Sequence, residues 1–294
     1  MAEKSKYCEV IEVIRSHWKH RGNLKSIEST LSRKGIDPLK ATPEQLSTHD
    51  QLHTGGLEGT SLFAEWVGIT SKESVLDVGA GLGGSARYLA HHFGCSVTAL
   101  ELCPELVETA SELTRRQNLG SLVSHQCRDV TLPPTKETLE KEFDLLWIQH
   151  TDIHIQDKYG FYSNCRKWLH PNGRIVWHDW ILGPRKDPYY PVPWSKTGEI
   201  SFLVEEKELR EILNRSGLKT TRFQNENEKA KKHFLMSRER IRSAYSRRLQ
   251  KGYTNNDKRL IYLAGLEQDA SNVVRSIEEG RIISFYAEAR SYKS

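Results

Sequence analysis

The chain has 294 residues, 37% of them hydrophobic and 28% charged, and a formal net charge of +5, which excludes a disordered chain and allows one large core or one core with a small appended unit. No run reaches the roughly 18 apolar residues of a membrane span, and the N-terminal MAEKSKYCEVIEVIRSHW has no apolar signal-peptide segment. Five widely spaced cysteines (Cys8, Cys95, Cys103, Cys127 and Cys165) suit neither a disulfide framework nor a structural zinc site, so a cytoplasmic protein is expected.

Tyr7, Val10, Ile11, Ile14 and Trp18 fall on one face of a helix over 4–20. Residues 21–45 carry Gly22, Gly35, Pro38 and Pro43 among polar residues and read as a linker with one short helix. The stretch Asp50–Gly56 opens a helix that runs to about Val67. From Ser74 onward, short β-branched runs alternate with helical periods. Strands are expected at 74–78, 96–100, 121–126, 143–149, 174–178, 218–223 and 281–289. Helices are expected at 85–93, 104–118, 157–169, 204–215 and across 228–279. Gly120 stands as the cap of the helix at 104–118, and Pro171-Asn172-Gly173 as a turn before the fifth strand. Such alternation with short connections predicts an α/β fold, a mostly parallel seven-stranded sheet with helices on both faces. Residues 1–49 read as a helical cap or lid and 50–294 as the main domain, with a helical insertion at about 225–279 before the last strand.

The strongest signal is Val75-Leu76-Asp77-Val78-Gly79-Ala80-Gly81-Leu82-Gly83-Gly84, an apolar strand that ends in a glycine turn and opens a helix. Glycines let the backbone approach a nucleotide-like ligand, and the helix start adds amide donors. Glu101 follows Asp77 by 24 residues, at the tip of the next strand, where a carboxylate can accept both hydroxyls of a ribose. Asp129 follows the third strand and is placed to take an adenine amino group. The spacing Gly-x-Gly-x-Gly-Gly differs from the Gly-x-Gly-x-x-Gly of dinucleotide-binding dehydrogenases.

With DQLHTGGLEGT, LDVGAGLGGSARYLA, the strand ending in Glu101 and HPNGRIVWHDW, residues 50–223 resemble class I S-adenosylmethionine-dependent methyltransferases. Within them the small-molecule branch of glycine/sarcosine/dimethylglycine N-methyltransferase-like proteins is the most similar. The resemblance implies a Rossmann-like fold and S-adenosyl-L-methionine as cofactor, with S-adenosyl-L-homocysteine as product. It implies that Asp77, Gly79, Ala80, Gly81 and Gly83 hold the methionine part, that Glu101 with Leu102 and Asp129 with Val130 hold the nucleoside, and that Gln51 and His53 close over the cofactor. Gln149 and His150 would face the sulfonium and the acceptor. His150 is the candidate base, with Asp152 and His154 as its support, although His150 can equally pack or bind cofactor alone. His178-Asp179 reads as a satisfied polar pair.

The acceptor implied is a small molecule, with an amine nitrogen as the leading atom. O- or C-methylation of a natural-product or isoprenoid diphosphate intermediate is the alternative, RNA methylation a further one, and a cofactor-binding regulator without turnover another. The loop Asp187–Trp194 combines prolines with aromatic rings that can line an acceptor pocket or box a cationic amine. Lys229–Lys251 contains nine lysines and arginines beside the apolar stripe Phe234, Ile241, Tyr245 and Leu249. That segment reads as the solvated face of a lid helix, as a site for an anionic acceptor, or as an RNA contact. No metal is expected, because His91-His92 and His150/His154 lack a third ligand of matching spacing. A monomer or homodimer is expected, without nucleic acid as a partner.

Overall fold

The computed structural model describes residues 2–134 and 142–292. Helices α1 (Ala2–Trp18), α2 (Leu24–Arg33), α3 (Pro43–Asp50) and α4 (Gly56–Val67) precede β1 (Ser74–Val78). There follow α5 (Gly84–Phe93), β2 (Ser96–Glu101), α6 (Pro104–Arg116), β3 (Val123–Cys127), β4 (Phe143–Gln149), α7 (Lys158–Trp168) and β5 (Leu169–Leu182). The chain ends with α8 (Glu206–Arg215), β6 (Leu218–Asn225), α9 (Asn227–Gln250), α10 (Lys258–Glu278) and β7 (Ile282–Ser291). The seven strands form one sheet in the order β3-β2-β1-β4-β5-β7-β6. β7 runs antiparallel to both its neighbours and the other pairs are parallel, which is the mostly parallel sheet the alternation predicts.

One face buries Phe161, Tyr162 and Trp168 of α7 with Leu209 and Leu213 of α8 against Trp177 and Phe285. The other buries Phe63 of α4 and Leu89 of α5 against Trp147 and Tyr286. A third cluster joins Trp180, Trp194 and Phe234 to Ala270, Val273 and Ile277 of α10. In the fourth, Ile27 and Leu31 of α2 and Leu46 of α3 pack on Leu106 and Leu113 of α6 and on Leu82 of the glycine turn. That contact seats the N-terminal helices over the carboxyl ends of the strands. Among the described residues no helix is long and apolar enough to cross a membrane.

Several expectations change. The stretch 21–45 is not a linker: α2 is capped by the Asn23 side chain, and α3 starts on a reciprocal Thr42–Gln45 capping box with Pro43 in its first turn, a signal that the prolines mask when read only as breakers. The left-handed residue after α6 is Asn118, with φ 57°, rather than Gly120, because asparagine also tolerates that conformation. Pro171-Asn172-Gly173 lies inside a long β5, where the register with β4 shifts between Phe143 and Leu145; an irregularity absorbs the turn residues. The stretch 228–279 is two helices, joined through Asp257, which caps α10. The polar segment 131–142 falls largely on residues outside the described ones.

Arg87 of α5 and Asp50 at the end of α3 form a buried ion pair at 2.7 Å, with side chains 0% and 2% exposed. Arg87 also donates to Ala110 O and Thr114 Oγ1 at 3.3 and 3.4 Å, so one guanidinium joins α3, α5 and α6. Removing one partner strands a buried charge, whereas removing both does not. Arg87→Met is expected to lower unfolding free energy by about 3 kcal/mol in urea melts, and Arg87→Met with Asp50→Leu to recover most of it. A loss below about 1 kcal/mol in the single variant would contradict this account.

Candidate active site

Strand order reverses between β1 and β4, and an open α/β sheet forms its ligand crevice beyond the strand ends at such a point. Gly79, Gly81 and Gly83 have φ of 75°, 55° and 71°. A Cβ at Gly79 would overlap the Thr151 side chain, whose hydroxyl donates to Val78 O at 2.8 Å. Glycine is therefore required there twice, and the turns after β1 and β4 are fastened together. The N–H groups of Gly81 and Cys103 donate to Glu101 Oε2 and Oε1, each at 2.9 Å, which leaves each oxygen a further lone pair for a ligand.

These elements wall a cavity of about 130 Å³ whose charged lining is four carboxylates, Asp50, Asp77, Glu101 and Asp129, against one guanidinium, Arg128. Asp77 Oδ2 and Asp50 Oδ1 are buried without a hydrogen-bond partner. Burial, then the charge of Glu101, raises Asp77 from 3.8 to about 7. Burial also raises Glu101, and it raises Asp50 in spite of Arg87. Such a wall favours a ligand that brings positive charge and opposes a polyanion such as a pyrophosphate.

Beside the carboxylates lies a set of histidines built around Gln149. Gln149 Oε1 accepts from Ser85 Oγ at 2.8 Å and from Trp147 Nε1 at 3.1 Å. An indole N–H only donates, so the amide nitrogen must face the other way, and it donates to His53 Nδ1 and His178 Nδ1, both at 3.2 Å. His53 Nε2 in turn lies 2.7 Å from Gln51 Oε1. On His178 the amide contact puts the proton on Nε2, whereas His53 Nδ1 lies 3.2 Å from both the Gln149 amide and the Thr54 carbonyl oxygen. His150 packs edge-on against His178 with centroids 4.6 Å apart and stacks on His53 at 5.9 Å. Its φ is 56°, its N–H donates to His178 O at 2.9 Å, and its Nε2 is buried without a partner. Burial lowers His53 to about 4 and holds His150 and His178 well below 6.5, with the neighbouring histidines adding to the shift.

The structure brings His53, Asp77, Gly79, Ala80, Gly81, Glu101, Leu102, Asp129, Val130, Gln149, His150 and His154 to this cavity. Other sequence candidates sit elsewhere. Gly83 caps α5, where a Cβ would meet His125 and Arg87, and Gln51 lines a second cavity instead. Asp152 does not support His150: its carboxylate turns into the core, bound to Lys158 Nζ and Tyr162 OH, both at 2.8 Å. His154 lines the cavity but spends both nitrogens on the fold, donating from Nδ1 to Ile200 O at 2.8 Å and accepting from Trp18 Nε1 at 3.2 Å. Asp129 is partly committed, since Tyr7 OH and the Thr131 N–H and hydroxyl all donate to it. Asp179 accepts from the N–H groups of Asp152 and Trp180 at 2.8 and 2.9 Å, while His178 belongs to the Gln149 network. Sequence reasoning missed Asp50, whose approach to the cavity depends on Arg87 far along the chain. The α1 stripe it did read supplies Ile11, Ile14 and Trp18 as a wall.

A second cavity, of about 300 Å³, shares Trp18, Leu52, His53 and His150 with the first. Pro193 and Trp194 of the aromatic loop line it, with Phe234 and Ile241 of the α9 stripe and Asp269 of α10. None of the nine basic residues of 229–251 lines either cavity. Arg238 and Arg242 bond to Glu267, at 3.3 and 2.7 Å, and Arg248 to Asp257 at 2.5 Å. His91 and His92 do find a third group in Glu44, with potential ligand atoms within 4.8 Å of one another, on an exposed surface away from these cavities.

Residues 76–177 match the family model described as "Methyltransferase domain". Phosphoethanolamine N-methyltransferase 1 of Arabidopsis thaliana is 34% identical over 132 residues, 45% of this chain and 26% of that protein. The match thus spans about a quarter of the relative's length. Phosphoethanolamine N-methyltransferase 2 of Haemonchus contortus, solved in complex with S-adenosyl-L-methionine, superposes with a TM-score of 0.68 at 18% identity, covering 91% of this chain and 60% of that one. Geranyl diphosphate C-methyltransferase of Streptomyces coelicolor does so with a TM-score of 0.58 at 14% identity, covering 80% and 78%. The fold is the one these class I methyltransferases share.

Asp77 gives the site a pH signature. A carboxyl raised from 3.8 to about 7 binds its proton more tightly in the folded chain, so its contribution to stability is full below about pH 4 and is lost as pH rises to about 7. The ligand-free wild type, compared with Asp77→Asn by urea melts at pH 5, 6 and 7, is expected to lose stability relative to the variant as pH rises. A pH-independent difference would contradict the shift.

Proposed function

We propose that this chain is an S-adenosylmethionine-dependent methyltransferase whose acceptor is a small molecule, methylated at an amine nitrogen in the second cavity. The observation that carries this reading is the glycine-turn cavity with the unpartnered carboxylate oxygens Asp77 Oδ2 and Asp50 Oδ1, opening past His53 and His150 on a second, aromatic-lined cavity. An ammonium and a sulfonium against one carboxylate leave S-adenosylmethionine with a net positive charge, which suits that wall.

In this reading Asp77, Gly79, Ala80 and Gly81 hold the amino-acid part together with Asp50, and Glu101, Leu102, Asp129 and Val130 hold the nucleoside. Gly83 acts indirectly, by setting the start of α5. When bound, the cofactor supplies a methyl group already activated by the sulfonium. The chain's own residues orient the acceptor and exclude water: α1 covers the cavity, residues 1–49 act as the cap, and α9 with α10 close the acceptor side of the 50–294 unit. His150 Nε2, free of protein partners, accepts an N–H of the acceptor and holds it toward the first cavity. His53, His150 and His178 all stay neutral, so they add no charge that would repel a cationic ligand. They are also weak bases, poorly suited to ionising a hydroxyl, whereas an amine need only be neutral to attack. This asymmetry favours nitrogen over oxygen.

The reading is tested by incubating the chain with isotope-labelled S-adenosylmethionine and a metabolite pool and identifying the product by mass spectrometry. A labelled small amine is expected; label only in RNA, or none at all, would refute the reading. Gly81→Val and Glu101→Ala are expected to abolish calorimetric cofactor binding, and normal affinity in both would overturn the site. His150→Ala should keep cofactor affinity while slowing turnover by about 100-fold, and unchanged turnover would leave His150 a packing residue.

A further inference from the structure

We propose that Glu44, His91 and His92 form a binding site for a transition-metal ion of the zinc class, which ties α3 to α5 at the surface. Among the described residues they are the one such trio of histidine, cysteine or carboxylate side chains. The site lies outside both cavities and does not depend on the reaction proposed above.

Glu44 sits in the first turn of α3, on a backbone fixed by the Thr42–Gln45 capping box. His91 and His92 occupy the last turn of α5, which Gly94 closes in the left-handed conformation with φ 72°. Successive side chains on a helix diverge by about 100°, yet these two rings converge, with centroids 5.0 Å apart. His92 Nε2 is 3.1 Å from Glu44 Oε1, and the buried Tyr88 ring backs His92 with centroids 4.3 Å apart, which restrains its plane. Among the described residues His91 spends neither nitrogen on a protein hydrogen bond. The potential ligand atoms of the three groups lie within 4.8 Å of one another. Around a tetrahedral zinc such atoms stand roughly 3.3 Å apart, a difference that exposed side chains close by small rotamer changes.

A surface ion pair between His92 and Glu44 would contribute little in water and would have no need of His91. Two imidazoles and a carboxylate are instead a donor set for zinc, with water in the fourth position. Two nitrogen donors suit magnesium and calcium poorly, since both prefer oxygen. The location gives the site a mechanical role. At one end of the helix pair Arg87 of α5 holds Asp50, the last residue of α3, at 2.7 Å, and a Cβ on Gly84 would stand 2.5 Å from Asp50 O. At the other end the start of α3 meets the last turn of α5 through Glu44 and His92. A metal there clamps the second end and braces the helix whose last residue lines the first cavity. Sequence spacing conceals the trio, because Glu44 precedes His92 by 48 positions.

The test is calorimetry and thermal melting of the full chain, without a histidine tag and stripped of metal by a chelator, with zinc chloride or magnesium chloride as the only addition. The wild type is expected to bind one equivalent of zinc that Glu44→Gln, His91→Gln and His92→Gln each weaken about tenfold or more. His170→Gln, at an exposed histidine of β5, should leave that affinity unchanged. Zinc at a hundredfold excess over Kd should raise the wild-type Tm by about 5 °C, and magnesium should not raise it. All four substituted side chains are exposed, so the metal-free variants should melt with the wild type, and lost binding then reports lost ligands. No zinc binding by the wild type, unchanged zinc affinity in any of the three ligand variants, or magnesium bound as tightly as zinc would overturn the proposal.

Discussion

The site depends on two carboxylates, Asp77 and Glu101, facing one small cavity without a protein cation bonded to either among the described residues. Parallel pairing of Asp77 with Ala99 and of Val78 with Leu100 brings the tips of β1 and β2 side by side, so the two acids arrive together once the sheet forms. The glycine turn then supplies N–H groups in place of a lysine or arginine, and it holds Glu101 through the backbone of Gly81 and Cys103. The fold tolerates this because Asp77 takes up a proton more readily, being raised to about 7. A ligand of opposite sign would relieve the same cost, so the arrangement stores selectivity for a cation in the unliganded chain.

The boundary between the two cavities, where His53 and His150 line both, is organised on a different principle. Gln149, opposite His178 in the β4–β5 register, points its amide nitrogen at the Nδ1 atoms of His53 and His178, burial keeps these rings neutral, and His150 stands between the cavities with a free nitrogen. In the proposed function the acidic wall and the neutral histidines divide two tasks: one attracts charge, and the other accepts an N–H without adding any.

Local signals in the sequence were enough for the sheet, the glycine turn and the strand-end acids. The apolar runs have a period, Gly79 and Gly81 mark left-handed backbone, and Glu101 lies one β-α unit beyond Asp77. The α1 stripe was legible for the same reason. Pairings across the chain were not legible. Asp50 reaches the cavity because Arg87, 37 positions on, holds it; Asp152 is diverted from His150 by Lys158 and Tyr162; and the proton placement on His178 follows from the orientation of the Gln149 amide. Helices α2 and α3 were hidden because glycine and proline between 21 and 45 suggest a linker, while their apolar contacts with α6 turn that stretch into structure.

The central claim, a carboxylate-walled cavity that selects a cationic nucleoside, is tested most directly by the protons exchanged on binding. S-adenosylmethionine is titrated calorimetrically at pH 6.5 in buffers of different ionisation enthalpy. Positive charge beside Asp77 lowers its pKa from about 7, so binding should release protons, and S-adenosylhomocysteine, lacking the sulfonium, should release fewer. No binding, or binding with proton uptake, would contradict the account.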